Sequence, residues 1–185
     1  MSRGWRVVAA IACLALPSAP VHATPSSDGC ILAAYPRPDD AAALAVAGGE
    51  PVTDLHLTLV NLGVEANQGA EAELPRRLAD LTASPAAPIS AQVFGHAVIN
   101  PNTADFNPSV VYLVGDSPGL VPLRQQVMTL AEQLYRLPAQ HEPWLPHITA
   151  TYGRSDTGLT YTGTVVFDRV GLKCGDRTAY FALGG

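Results

Sequence analysis

The chain has 185 residues, of which 48% are hydrophobic, and a formal net charge of −5. This length suits one globular domain with a substantial core and leaves little room for a second. The acidic balance disfavours a long nucleic-acid footprint, because such a surface repels a polyphosphate backbone. It permits a small nucleotide or one RNA end in a locally positive cleft.

Residues 1–23 are typical of an export signal. Arg3 and Arg6 form the basic segment, the apolar run at 7–16 is too short to span a bilayer, and 21–23 offers a small-x-small cleavage site. Removal of this segment leaves 9 basic and 16 acidic residues, a net charge of −7. We expect a secreted or cell-envelope protein without a transmembrane segment. The alternative is a mis-assigned start codon before a cytoplasmic protein.

The first half of the remaining chain contains a strand, a helix and a second strand, followed by another helix and strand. A polar joint at 24–29 leads into the apolar run CILAAY, which is typical of a buried strand. The second helix is clearest from Pro75, which can open a helix, to Ala83. The predicted elements are a strand at 30–35, a helix within 37–51, a strand within 52–63, a helix within 64–86 and a strand within 88–99.

The second half repeats this plan. A strand is predicted at 110–115, and Ser117 is the predicted cap of a helix that begins near Pro118. A further strand and a terminal hairpin, formed by 161–174 and 177–183, complete the chain. The repeated plan indicates an internal duplication. The apolar residues of the helix recur at three-and-four spacing: Leu120, Leu123, Val127, Leu130, Leu134 and Leu137.

Cys30 and Cys174 are the cysteines that remain after residues 1–23 are removed. In an exported protein an even pair is compatible with a disulfide, and two separate buried thiols are the alternative. A bridge would join the first strand to the terminal hairpin and close most of the chain into one loop. The sequence contains no CxxC, HExxH or His-rich segment, so no metal site is predicted.

The most informative feature is a four-residue pattern, H-x-T-apolar, that occurs twice. It stands at residues 56–59 and 147–150, and each copy is followed shortly by a glycine. In a strand, residues two apart point to the same side, so each histidine shares a face with its threonine. If the two halves pack about an approximate twofold axis, both pairs face one cleft.

Two histidines across a cleft suit the cleavage of a phosphodiester. An unperturbed imidazole has a pKa of about 6.5, so at neutral pH one ring can be neutral and the other protonated. The neutral ring removes a proton from water or a ribose hydroxyl, and the protonated ring supplies one to the departing oxygen. Threonine hydroxyls can donate to the non-bridging phosphoryl oxygens. This scheme requires no metal and no cofactor.

The segments GGEPVTDLHLTLVNLG (48–63) and PWLPHITATYG (143–153), with Pro146 directly before the second histidine, resemble the 2H phosphoesterase superfamily. That group includes 2′-5′ RNA ligase-like proteins and 2′,3′-cyclic nucleotide phosphodiesterases. The resemblance covers nearly all of the chain after the export signal. It implies an α+β fold of two pseudo-symmetric lobes, each an antiparallel sheet with outer helices, around a central cleft. We therefore expect one bilobal domain over 30–185.

The resemblance also implies residue roles. His56 and His147 correspond to the catalytic pair, and Thr58 and Thr149 correspond to their phosphate-binding partners. The reaction implied is hydrolysis of a 2′,3′-cyclic phosphate, or a related phosphodiester, on a nucleotide or RNA end. Neither histidine is assigned as the base, because that choice depends on how the substrate is oriented. We expect a monomer whose partner is this small substrate.

The segment after the second motif departs from the better-known members, many of which have an arginine or lysine there. This chain has Tyr152 and then Arg154, and we include both as candidate substrate-binding residues. Asn61 stands where an aromatic residue often follows the first motif. His96, in a predicted strand, is a further histidine that could line the cleft.

Two other functions are compatible with the same four motif residues. A module of this fold could bind a nucleotide, or serve in a phage-derived assembly, without turnover. An extracellular lipid- or sugar-phosphate diesterase could use the same chemistry, because the motif recognises the phosphate and not its substituents. Turnover of a cyclic phosphate would distinguish the enzyme from the module, and a substrate panel would distinguish the two enzymes.

Overall fold

A computed structural model describes residues 29–63, 70–83, 87–100, 107–115, 117–153 and 158–184. The predicted export signal at 1–23, residues 24–28 of the predicted joint at 24–29, the first residues of the second predicted helix and Arg154 lie outside the described residues. Within that part of the chain, the elements in order are β1 (Cys30–Pro36), α1 (Pro38–Leu44), a short 3-10 helix (Val52–Asp54), β2 (Leu57–Gly63), α2 (Ala70–Ala83), β3 (Ile89–Ile99), β4 (Ser109–Val114), α3 (Leu120–Glu132), β5 (His147–Tyr152), β6 (Gly163–Cys174) and β7 (Arg177–Ala182).

All strand pairings are antiparallel and join the strands in the order β1-β2-β5-β4-β3-β6-β7, with β1 also paired to β6. The 12-residue strand β6 serves both halves, because residues 163–167 pair with β3 and residues 167–174 pair with β1. One half is therefore β2-β1-β6-β7 and the other is β5-β4-β3-β6. The motif strands β2 and β5 meet between them, so the predicted α+β fold with two matching halves is confirmed.

The three helices cover the face of the sheet that packs into the core. They contribute buried apolar side chains that join those of the strands, including Leu57 and Ile148, in one cluster. This arrangement follows from the spacing of the apolar residues, which places them on a single face of each helix. The histidines project from the opposite face of the sheet. The buried apolar residues described in these helices are Ala41 and Leu44 of α1, Leu74 and Leu78 of α2, and Leu120, Leu123, Val127 and Ala131 of α3.

Several predicted boundaries are wrong. Pro75 does not open α2 but lies inside it, where burial of Leu74 and Leu78 offsets the hydrogen bond that the proline cannot make. The first predicted helix is much shorter than expected, because the chain becomes extended at Ala45 (φ −67°, ψ 138°). The three-and-four spacing of apolar residues runs on to Leu134 and Leu137. α3 ends at Glu132, so these two residues keep the spacing but lie outside the helix.

The predicted capping role of Ser117 is also wrong. The residue before the first turn of α3 is Gly119, which has no side-chain cap. The carbonyl of Ser117 instead accepts a bond from the Leu120 N–H at 3.2 Å, and the turn between them separates the serine side chain from the helix end. Its buried Oγ has no hydrogen-bond partner among the described residues.

Candidate active site

The two H-x-T motifs meet at the contact between β2 and β5. Leu57 and Ile148, the middle residues of the motifs, pair with each other in the antiparallel register, and both are fully buried. Extending this register by one residue sets His56 opposite Thr149 and Thr58 opposite His147. Cβ atoms at directly opposite positions lie about 4.5–5.5 Å apart. All four polar side chains thus lie on one side of the sheet, here called the histidine face.

Each motif contains a β-bulge at its fourth position. Opposite β1, the pairing passes from Thr58 directly to Val60, and opposite β4 it passes from Thr149 directly to Thr151. The extra residue in each strand is therefore the fourth of the motif, Leu59 or Ala150. A bulge changes which side the next residues face. As a result Val60 and Thr151 are buried, and the residue after each returns to the histidine face.

Each imidazole is oriented by a backbone carbonyl two residues before it. Nδ1 of His56 lies 2.6 Å from the carbonyl oxygen of Asp54, and Nδ1 of His147 lies 2.7 Å from that of Leu145. A carbonyl can only accept, so Nδ1 carries the proton in both rings. Nε2 is therefore the nitrogen that each ring has available for proton transfer, and it is a base when unprotonated and an acid when protonated.

The environment of His56 favours its neutral form. Burial lowers the pKa of its imidazole, the positive charges of Lys173 and His147 lower it further, and the carbonyl bond and carboxylate of Asp54 oppose them. The ring also packs 5.5 Å from that of Tyr35, which is almost fully buried. Because the positive charge of His147 lowers the pKa of His56, the two imidazoles interact electrostatically, as expected for groups on a shared face.

The two threonines are held by further contacts. The Trp144 indole N–H donates to the carbonyl oxygen of Thr58 at 3.3 Å, which links the segment before β5 to β2. Burial raises the pKa of the Tyr152 hydroxyl, and the nearby side chain of Thr149 lowers it. Tyr152, one of the candidate substrate-binding residues, therefore lies on the histidine face beside the second motif. It is 41% exposed, so part of its ring is available to a ligand.

Asn61 occupies the position in β2 that corresponds to Tyr152 in β5, but its side chain is used locally. Its Oδ1 accepts from the Gly63 N–H at 2.9 Å, and its backbone is bonded to Gln140 in both directions, each at 2.9 Å. The two halves of the site therefore differ at this position, with an aromatic hydroxyl on one side and a turn-forming amide on the other.

Sequence reasoning missed a group of charged residues beside His56. Lys173 Nζ lies 3.5 Å from Asp54 Oδ1, and burial raises the pKa of the nearby Glu50 carboxyl, as does the charge of Asp54. Glu50 is tied to the second motif as well, because its N–H donates to the carbonyl oxygen of Ala150 at 2.8 Å. One sequence signal was present, since Lys173 is the only lysine in the chain.

His96 lies on the other face of the sheet. Its register partner is Tyr112, which pairs in turn with the buried Ile148, and its ring packs 5.5 Å from that of Tyr112. His96 Nε2 is bonded to the carbonyl oxygen of Tyr161 at 2.8 Å. The structure therefore does not bring His96 together with the motif residues.

Neither a membrane span nor a metal centre stands out in the described ranges. No helix there is long and apolar enough to cross a membrane. No three side chains of His, Cys, Asp and Glu are grouped there as ligands for a metal ion.

The chain has the fold of the 2H phosphoesterases, as its motifs predicted. It is similar to TT0787 of Thermus thermophilus over 85% of its length and 98% of that chain (20% identity, TM-score 0.61). It is similar to E. coli LigT complexed with 3′-AMP over 84% and 95% (16% identity, TM-score 0.53). Usb1 of Kluyveromyces marxianus matches over 85% and 99% (12% identity, TM-score 0.54). Neither the known family models nor the curated proteins include a match to the sequence.

Proposed function

We propose that this protein is a phosphodiesterase that hydrolyses a 2′,3′-cyclic phosphate, or a related phosphodiester, on a nucleotide or short RNA end. The observation that carries the proposal is the pairing of Leu57 with Ile148. It supports the proposal because the alternation of side chains along both strands then directs each histidine–threonine pair to the same face, and the carbonyl bond at Nδ1 of each histidine leaves Nε2 for proton transfer.

In the proposed reaction His56 is the base and His147 is the acid. His56 suits the first role because its pKa is lowered and its ring is neutral at neutral pH. Its Nε2 accepts a proton from water while the water oxygen forms a bond to phosphorus. The bond from phosphorus to one ribose oxygen breaks, and Nε2–H of His147 gives that oxygen a proton. The hydroxyls of Thr58 and Thr149 donate to the non-bridging oxygens, where negative charge is held.

The structural similarities support a nucleotide substrate. E. coli LigT has been solved in complex with 3′-AMP. A nucleoside monophosphate of this kind is what hydrolysis of a 2′,3′-cyclic phosphate releases. The proposed acid–base scheme assigns both proton transfers to imidazoles and requires no metal ion, so activity should persist in EDTA.

We further propose that the protein works outside the cytoplasm. Cys30 and Cys174 form a disulfide between β1 and β6, with an S–S distance of 2.05 Å. Disulfides persist in oxidising compartments and are rare in the cytosol of mesophiles. The disulfide agrees with the export signal that the sequence predicts. Because the proposed location is outside the cytoplasm, a lipid- or sugar-phosphate diester stays in the substrate panel.

The test is turnover by the chain from residue 24 onward, in EDTA, of 2′,3′-cyclic AMP and ADP-ribose 1″,2″-cyclic phosphate. A lipid-phosphate diester and a sugar-phosphate diester complete the panel. We expect hydrolysis of a cyclic phosphate, and a loss of about 10²- to 10⁴-fold in both His56→Ala and His147→Ala. His141→Ala, at an exposed loop position, is the matched control and should retain activity. Saturable binding without turnover of any substrate would instead identify a binding module.

A further inference from the structure

Lys173 lies on the histidine face of β6. In the register between β1 and β6, Lys173 pairs with Ile31 and Gly171 pairs with Ala33. Ala33 also pairs with Thr58 on its other side, so Ile31, Ala33, Gly171 and Lys173 share the face that carries the first motif. Lys173 faces this side because of a bulge in β6. The pairing with β1 skips Asp168, and beyond this residue the side chains of β6 point to the opposite faces from those that strict alternation would give.

A single residue, Asp54, connects Lys173 to His56. The carbonyl oxygen of Asp54 accepts from Nδ1 of His56 at 2.6 Å, and its carboxylate lies 3.5 Å from Lys173 Nζ. The ammonium is therefore held beside the imidazole by the residue that orients it. The positive charge of Lys173 lowers the pKa of both His56 and Glu50, which agrees with an ammonium close to the site.

The ion pair with Asp54 does not use all the hydrogen-bond donors of the Lys173 ammonium. A separation of 3.5 Å exceeds the 2.7–2.9 Å of a strong charge-assisted bond, and an ammonium has three donors. The two side chains are 25% and 43% exposed, and ion pairs at such exposure contribute little to stability. Stabilisation of the fold is therefore a weak reason for this lysine.

The neighbouring cation on the same face, Arg169, already has partners within the protein. Its guanidinium donates to Asp168 at 2.8 Å and lies over the rings of Tyr35 and Tyr180, at 5.9 and 5.2 Å from their centres. A Cβ at Gly171 would overlap the Tyr35 ring, so the glycine lets this ring lie across β6 between the two cations. Among the described residues of this face, Lys173, on the side nearer Asp54, is the cation that remains for a ligand at His56.

We propose that Lys173 binds a non-bridging oxygen of the substrate phosphate, with Asp54 positioning its ammonium next to His56. This assignment rests on the proposed function, because it concerns the same site. It gives the acidic chain a fixed positive charge where an anionic diester must bind. Many members of the family that the sequence resembles have an arginine or lysine after the second motif. Here Lys173 would supply a cation of that kind from a different strand.

The direct test uses the fact that the chain has one lysine. Reductive methylation with ¹³C-formaldehyde labels its amine without removing the charge. The labelled α-amino group is identified as the signal that remains in Lys173→Arg. We expect the Lys173 signal to shift saturably with inorganic phosphate, and not with chloride at equal ionic strength. A Lys173 signal that phosphate and chloride leave equally unmoved would overturn the proposal.

The kinetic test compares Lys173→Met with Lys173→Arg on 2′,3′-cyclic AMP. Loss of one charged phosphate contact should reduce kcat/KM by about tenfold or more, mainly through KM, and the arginine variant should recover most of it. Arg177→Met is the matched control, because it removes a positive charge from the same hairpin at a position paired with Cys174, on the other face. Equal kinetics for Lys173→Met and Arg177→Met would refute the role of Lys173.

The two proposals fail in distinguishable ways. If the unmodified protein hydrolyses no member of the substrate panel, the proposed function is wrong, and the phosphate titration still decides whether Lys173 binds phosphate. If the protein is active but its Lys173 signal ignores phosphate and Lys173→Met is unimpaired, only the lysine assignment is wrong.

Discussion

The two histidines have matched backbone contacts but different surroundings. Both donate from Nδ1 to a carbonyl two residues earlier, so the available nitrogen is the same in each. His56 in addition packs against the buried ring of Tyr35 and feels the charge of Lys173. His147 begins β5, next to Leu145, which is 48% exposed. A duplicated motif thus gives two imidazoles suited to different roles.

The pH dependence of kcat/KM should report this difference. A lowered pKa keeps His56 unprotonated below its ordinary value of 6.5, so the acidic limb of the profile should lie below pH 6.5. Lys173→Met removes a positive charge that disfavours protonation of His56, leaving Asp54 and His147 as its charged neighbours. The limb of that variant should move to higher pH, and the limb of Lys173→Arg should stay near the original position. An acidic limb well above pH 6.5 in the unmodified protein would contradict His56 as base.

The threonine hydroxyls should matter for the reaction rate more than for stability. Thr58→Val and Thr149→Val keep the shape of a β-branched side chain and remove the donor to the phosphoryl oxygens. Loss of one such donor costs about 10²-fold in kcat where comparable groups have been removed. Thr129→Val, at an exposed position of α3, is the control and should be active. Unchanged kcat in both motif variants would exclude the phosphate-binding role.

At the scale of elements, the fourth residue of each motif forms the β-bulge that sets which face the following residues occupy. As a bulge it leaves a carbonyl outside the regular pairing of the strands, and each such carbonyl has a partner from elsewhere. That of Leu59 accepts from Nε of Arg124 at 3.3 Å, and that of Ala150 accepts from the Glu50 N–H at 2.8 Å. Without the bulge, Tyr152 would face away from Thr149.

Gly49 should be intolerant of a side chain for this reason. A Cβ there would overlap the carbonyl oxygen of Ala150 and come within 2.7 Å of Val46 Cγ2. Gly49→Ala should reduce the free energy of unfolding by about 1–3 kcal/mol and lower activity, because the contact displaces the second bulge. Gly158→Ala is the control, since no described residue has an atom within 4 Å of a Cβ placed there. Urea unfolding and turnover of both variants test this, and equal behaviour would show that the contact relaxes freely.

At the scale of the whole molecule, β6 and the disulfide connect the two halves. The strand pairs with β3 at one end and with β1 at the other, and the bridge closes the second contact at the paired positions Cys30 and Cys174. The two cysteines are 144 residues apart in sequence, so the bridge encloses most of the chain. A long loop loses more entropy when it is closed in the unfolded state.

Removal of the bridge should therefore destabilise the fold strongly. In the chain-entropy model a loop of this length corresponds to about 5 kcal/mol, which is the upper end of the usual range. The variant with Cys30→Ser and Cys174→Ser should unfold at much lower urea concentration than the oxidised protein. A reducing agent should move the unmodified protein towards the variant and leave the variant unaffected. A difference below about 1 kcal/mol would contradict the entropic account.

The sequence determined the parts of this protein that depend on local pattern. Alternation of apolar residues located the strands, and two copies of H-x-T predicted two histidine–threonine pairs on strand faces. Local pattern failed where packing overrides it. Pro75 is tolerated inside α2 because its neighbours are buried, and Ser117 loses its capping role because a turn intervenes before the helix.

Only the tertiary structure decided how the site is completed. The pairing of Leu57 with Ile148, the bulges at Leu59 and Ala150, and the approach of Lys173 to Asp54 join residues that are distant in sequence. Their proximity depends on strand order and register, which no local pattern encodes. The sequence therefore indicated the acid–base chemistry, and the fold decided which histidine has its pKa lowered by its surroundings and which cation lies beside it.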